Sequence, residues 1–167
     1  VSNNLDGILS SGSINNSVLN ITRTNNTGYD VNSTDTSLEI STDLQRYAFH
    51  NVTLELLNSS NVRIVLPNVT QNGTNFSTDV ILRHNFTFIN SSSASGLNRS
   101  ANITFFGLQL NNPRILRGGI ACENSTCIRT TYNRTNGTLL FNVTGFSNYT
   151  VTDYCGNNFC EGDESCS

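Results

Sequence analysis

Between positions 18 and 151 apolar residues recur at every second place, in short runs. Val52, Leu54 and Leu56 alternate with Asn51, Thr53 and Glu55, and Leu139, Phe141 and Val143 alternate with Leu140, Asn142 and Thr144. Side chains switch sides along a strand, so this spacing predicts strands with one apolar and one polar face. The expected strands lie at 18–23, 38–41, 51–57, 62–66, 79–83, 85–89, 102–108, 114–121, 127–132, 138–144 and 148–153. Turn chemistry punctuates them at Asn72-Gly73, 91–96, Gly118-Gly119 and Asn136-Gly137. One helical turn is expected over 42–49, capped by Ser41 or Thr42. No fixed period repeats, which argues against a solenoid. Many short, evenly spaced strands predict an all-β chain, an immunoglobulin-like antiparallel β-sandwich. Residues 1–14, rich in Ser, Asn and Gly with Leu5, Ile8, Leu9 and Ile14 scattered among them, are expected to form an extended N-terminal arm. The sandwich takes 15–154, and 155–167 begins a short Cys-rich tail.

The polar face carries a second pattern. Eighteen Asn-x-Ser/Thr acceptor tripeptides occur in 167 residues, at Asn15, Asn20, Asn25, Asn32, Asn51, Asn58, Asn68, Asn72, Asn75, Asn85, Asn90, Asn98, Asn102, Asn124, Asn133, Asn136, Asn142 and Asn148. None has Pro in the middle. With 27 Asn and 40 Ser plus Thr, chance placement would give roughly 6 or 7 on composition alone. The middle residue is strongly apolar at Ile21, Val52, Val69, Phe76, Phe86, Ile103 and Val143, with Tyr149 in the same slot. On a strand this arrangement turns hydrocarbon inward and the acceptor Asn outward. Thr at the third position is itself a good strand residue. Polar outward faces and Asn-rich turns would create a handful of such tripeptides by accident, Asn72-Gly73-Thr74 and Asn136-Gly137-Thr138 among them, but not this excess. The expectation is widespread N-linked glycosylation and an extracellular or cell-surface location.

Composition fits that picture. Charged residues make up 13% of the chain, every cation is Arg, and Lys, Met and Trp are absent. Glycans are expected to supply the solubility that mixed surface charge usually provides. Bulky sugar beside Phe- and Ile-rich strands would also block unwanted sheet pairing. A net charge of −3 does not point to nucleic acid or an anionic membrane. No run of eighteen apolar residues, the length a spanning helix needs, occurs in the chain. Without an initiator Met or an apolar leader, the chain reads as a mature exported form.

Five Cys are present. Cys122 and Cys127 enclose four residues between strand-like runs and are expected to close a hairpin loop that presents Asn124. Pairing among Cys155, Cys160 and Cys166 is not fixed by sequence. The tail Cys155-Gly156-Asn157-Asn158-Phe159-Cys160-Glu161-Gly162-Asp163-Glu164-Ser165-Cys166 is similar to a C-G-[DN]-x-x-C-x-x-G-E-x-C module of secreted and surface proteins of archaea and some bacteria. Gly162-Asp163-Glu164 departs from that module by one inserted acid or a shifted glutamate. The stretch from Cys122 through Tyr132 to Leu140-Phe141-Asn142-Val143-Thr144-Gly145-Phe146-Ser147-Asn148-Tyr149-Thr150-Val151 and Asp153 resembles the closing β segment of archaeal surface-protein domains. The likeness covers about the last quarter of the chain. It implies an archaeal-type surface glycoprotein, akin to glycan-coated extracellular filament subunits.

Signs of catalysis are few. His50 and His84 are 34 residues apart, and no zinc-protease helix, P-loop or dinucleotide fingerprint occurs. Hydroxyl residues are so numerous that any Ser–His–Asp set drawn from them carries no information. Glu161, Asp163 and Glu164 form a cluster whose oxygens suit Ca²⁺, but a solvated acidic tail is the better reading of them. No catalytic residue, cofactor or metal is expected beyond covalent glycans. The expected function is a structural subunit of a heavily glycosylated extracellular filament or surface layer. Its expected partners are copies of itself, joined head to tail, with the 1–14 arm as strand donor. The alternative is an adhesin or carbohydrate-binding module using the acceptor-free stretch 107–120 with Arg114 and Arg117.

Overall fold

A computed structural model of the chain describes residues 8–12, 16–18, 28–34, 37–40, 44–58 and 61–154. The strands are β1 (Ile8–Ser11), β2 (Asn16–Val18), β3 (Val31–Thr34), β4 (Ser37–Ile40), β5 (Arg46–Asn58), β6 (Val62–Thr74), β7 (Val80–Arg83), β8 (Phe86–Ile89), β9 (Ala101–Phe105), β10 (Pro113–Arg117), β11 (Ile120–Ala121), β12 (Cys127–Asn133), β13 (Thr138–Val143) and β14 (Asn148–Asp153). They form two sheets. The larger runs β1-β3-β5-β6-β9-β13-β12, with β4 also on β5 and β2 on β4; the smaller runs β11-β10-β14-β8-β7. From β6 onward the chain passes repeatedly between the sheets, and the inward residues of both join one core.

That core follows the alternation. Val52, Leu54, Leu56, Ile64, Leu66, Ile103, Phe105, Phe141 and Tyr149 are fully or almost fully buried. Phe105 stacks on Phe141 at 6.1 Å, and Tyr149 meets both Phe141 and Phe146 edge-on at 6.1 and 5.7 Å. Tyr149 donates its hydroxyl hydrogen to the Gly145 carbonyl, locking the corner that leads into β14. Gly118 and Gly119 both take positive φ in the β10–β11 turn, the conformation a two-residue hairpin requires. Gly137 is held equally tightly: a Cβ there would stand 2.3 Å from the Leu108 carbonyl oxygen.

Three expectations are corrected. Arg46–Phe49 is strand, not helix, because Tyr47 and Phe49 alternate into the core and pack on Phe76; positions 41–43 lie outside the described residues. The helical turn occurs instead at Phe76–Asp79. The pairing is not wholly antiparallel: β3 and β4 both run parallel to β5, and β1 and β2 run parallel to β3 and β4. Ile8–Ser11, part of the expected extended arm, pairs with β3 as a strand of the larger sheet.

The parallel lanes require a bend. Ile40 pairs with Leu56, ten residues beyond Arg46, which in a straight ladder would place Ile40 and Arg46 about 33 Å apart. Only five residues join them, a reach of about 20 Å. The long β5–β6 hairpin turns its corner at two bulges flanking the Val52–Val69 pair, one on each strand. His50-Asn51 and Pro67-Asn68 are the doubled exposed positions there.

Candidate functional site

The bulges set the geometry of two acceptor sites. Asn51 (φ 55°), Asn68 (φ 54°) and Asn75 (φ 57°) are the described non-glycine residues with positive φ, and each begins an acceptor tripeptide. Asn tolerates the left-handed region better than most residues. Val52, Val69 and Phe76, which follow them, are buried.

Asn15, Asn20 and Asn25 lie outside the described residues. Of the other fifteen acceptors, none is buried. Asn32, Asn58, Asn90 and Asn148 are half-buried; Asn51, Asn68, Asn72, Asn75, Asn85, Asn98, Asn102, Asn124, Asn133, Asn136 and Asn142 are exposed. Several engage their side-chain oxygen with a backbone N–H. Asn133 Oδ1 accepts from Thr135 N at 3.0 Å, Asn136 Oδ1 from Thr138 N at 3.1 Å, and Asn98 Oδ1 from Phe146 N at 2.8 Å. Asn58 differs, since its Nδ2 donates to the Leu82 carbonyl at 2.9 Å. Asn102 and Asn142 face each other directly across β9 and β13, with Val65 and Ile128 as their outer neighbours in the same row. Ile128 is 53% exposed.

One tripeptide reverses the expected phase. Asn85 sits in the β7–β8 turn, so the strand alternation does not run through it. Thr87 and Ile89 point inward, and Phe86 and Phe88 lie half-buried on the outer face. Thr87 Oγ1 is buried without a hydrogen-bond partner.

Cys122 and Cys127 are bonded, with Cα atoms 5.8 Å apart. They do not close a hairpin. Cys122 donates its backbone N–H to Ile115 on the smaller sheet, whereas Cys127 opens β12 opposite Val143 on the larger one. The disulfide loop is thus a crossover between sheets, and Asn124 stands exposed at its tip. Cys155, Cys160, Cys166 and the acids Glu161, Asp163 and Glu164 lie outside the described residues.

Charged and polar groups are tied into structure. Arg63 grips Glu55 through Nε at 2.5 Å and Nη2 at 2.8 Å. The Glu55 hydrogen bond holds the guanidinium pKa above its usual value, against the opposing effect of desolvation, with help from the Glu55 and Glu39 charges. Glu39 and Glu55 stand in register on the parallel pair β4–β5. Buried Asp79 accepts from Tyr47 Oη at 2.7 Å and from Ser93 Oγ. Burial first, then the bond to Asp79 and its charge, push the Tyr47 phenol well above the ordinary tyrosine range. His84 Nδ1 lies 3.3 Å from Asn61 Oδ1 in the β7–β8 turn, and His50 lines an open polar groove with Tyr29, Gln71, Asn72, Ser93 and Gly96. That groove is about 790 Å³. Among the described residues no group of three or more His, Cys, Asp or Glu is placed to hold a metal ion.

The acceptor-free stretch 107–120 forms an edge of the smaller sheet. Pro113 and Ile115 are buried, Arg114 stacks on Tyr154 at 4.8 Å, and Ile120 is 76% exposed. No helix among the described residues is long and apolar enough to cross a membrane. No protein family, curated protein or solved structure matches this chain.

Proposed function

We propose that this chain is a structural subunit of a heavily N-glycosylated extracellular filament or surface layer, built on an immunoglobulin-like sandwich. The observation that carries the reading is the distribution of acceptors: every described one lies off the core, while the β10–β11 edge bears none and leaves Ile120 bare. Sugar spread over a molecule excludes neighbours except where it is missing. The passage of the chain between sheets and the Tyr149–Gly145 corner support the immunoglobulin-like assignment. The Cys-rich tail supports an archaeal-type surface protein. Copies join head to tail, a contact that propagates without closing. Strand donation is the joint: Ile8–Ser11 leaves β3 of its own subunit and takes the same slot in the next, an exchange rather than the insertion of a free arm.

Negative-stain microscopy of native material, with intact mass before and after deglycosylation, tests the proposal. Fibres or sheets built of glycosylated subunits are expected, with monomers after deletion of 1–14 or after Ile120→Asp. Fully glycosylated single particles, or normal assembly by both variants, would refute it.

The open groove beside His50 favours a second reading, an adhesin or carbohydrate-binding module, because Tyr29, with Arg46 over its ring, lines it among amide and hydroxyl groups. Binding on a glycan array that disappears with Tyr29→Ala would select this reading.

A further inference from the structure

The outer face of the smaller sheet is unusually apolar for a surface with acceptors. Ile81, Phe86, Phe88 and Leu116 all lie half-buried there. Phe88 stands directly opposite Asn148 in the β8–β14 ladder, and Ile81 stands opposite Phe88 on its other side. The neighbours of this row, Thr87, Ile89 and Tyr149, point inward, so Asn148 and Phe88 project to the same outer side. Directly opposed Cβ atoms in such a ladder lie about 5 Å apart. The Asn148 amide is also oriented. Its Oδ1 lies toward Gly118 on the β10 side, 3.7 Å from where a Cβ of that glycine would stand. The Ser147 hydroxyl lies 3.5 Å from the same oxygen. The amide oxygen is thus engaged on the β10 side of β14, away from β8 and Phe88.

We infer that Phe88, extended by Ile81, is the seat on which the first sugar linked to Asn148 packs. This rests on the glycoprotein reading above and adds a specific contact to it. A pyranose presents axial C–H groups on one face, and the electron-rich face of an aromatic ring attracts them while both surfaces leave water. The consequence is a division of labour among the acceptors. A sugar on Asn51 or Asn136 projects from a bulge or a turn, whereas the sugar on Asn148 completes a packed surface and stabilises the fold.

The test is a four-chain cycle made with glycosylation intact: the natural chain, Thr150→Val, Phe88→Leu, and the double variant. Thr150→Val removes the acceptor while leaving Asn148 and a β-branched residue in the strand. The expected result is a melting temperature lowered by about 2–4 °C by Thr150→Val in the Phe88 chain, and left unchanged in the Phe88→Leu chain. Leu keeps an apolar surface but no ring, so folding is preserved. The same four chains made in a host without N-glycosylation should show no effect of Thr150→Val in either background. An equal loss in both glycosylated backgrounds overturns the inference. So does an Asn148 peptide found bare while other acceptors carry sugar; all acceptors bare would overturn the glycoprotein reading with it.

Discussion

Asn51 occupies a backbone conformation that costs most L-residues roughly 1–2 kcal/mol, and this changes how acceptor sites should be removed. Asn51→Gln abolishes the acceptor but also puts a longer side chain into the left-handed region. Thr53→Val abolishes it without touching that position. Chemical denaturation should find Asn51→Gln less stable than Thr53→Val by about 1 kcal/mol, and Asn51→Gly close to the latter. Equal stabilities would show that the bulge does not constrain residue 51. The acceptor tripeptides were legible one by one in the sequence. Which of them sit on bulges was not, because a bulge is defined by the partner strand. At Asn85 the same blindness misled: Phe86 looks like an inward residue, yet Ile89 takes the core and carries Thr87 inward with it.

Among the elements, those with uninterrupted alternation were readable. Residues 148–153 were expected as a strand and form β14 with those bounds. At β5 the doubled exposed pair His50-Asn51 breaks the period, so the alternation marks only 51–57 and leaves Tyr47 and Phe49 resembling a helical turn. β3 was not anticipated; Val31 is its single aliphatic, and its other inward residue is Ser33. Parallel pairing leaves no local trace at all, since it depends on residues sixteen positions apart. β14 is also tied to the loop before β10 by Asp153, whose carboxylate accepts from Asn111 N at 2.9 Å and Asn112 N at 2.5 Å. Desolvation, the largest single effect, opposes ionisation, but the Asn111, Asn112 and Tyr154 backbone bonds and the Arg134 charge together outweigh it and hold the pKa below the usual Asp value. A lowered pKa stabilises the fold above the unfolded-state value and loses that contribution as pH falls through the folded one. The stability gap between the natural chain and Asp153→Asn should therefore be widest near neutral pH and narrow below about pH 4. A gap independent of pH would mean that the ionised form is not what ties the loop.

At the scale of the whole molecule, two sheets share one core while their outer faces differ. The larger sheet carries the paired acceptors Asn102 and Asn142 between Val65 and exposed Ile128, and its edge strand β12 is preceded by Asn124 and ends on Asn133. The smaller sheet offers the bare β10–β11 edge. In the assembly we propose, sugar covers the Asn102–Asn142 row, while subunits meet where acceptors are missing and where β1 is exchanged. Complete deglycosylation should lower solubility much more than it lowers the unfolding temperature, because no described acceptor is buried in the core. Thr104→Val and Thr144→Ala should each be tolerated, since the remaining glycan covers the same row, whereas the double variant should self-associate in sedimentation. Unchanged solubility after full sugar removal would exclude this shielding role.

The parallel lanes have a bearing on how the chain matures. β1 and β2 rest on β3 and β4, and these rest on β5, whose first residue is Arg46. Strands β1 to β4 cannot find their places until β5 has been synthesised. Under the proposed function Asn32, on β3, therefore waits for its partner strand and stays within reach of a glycosylating enzyme throughout that interval.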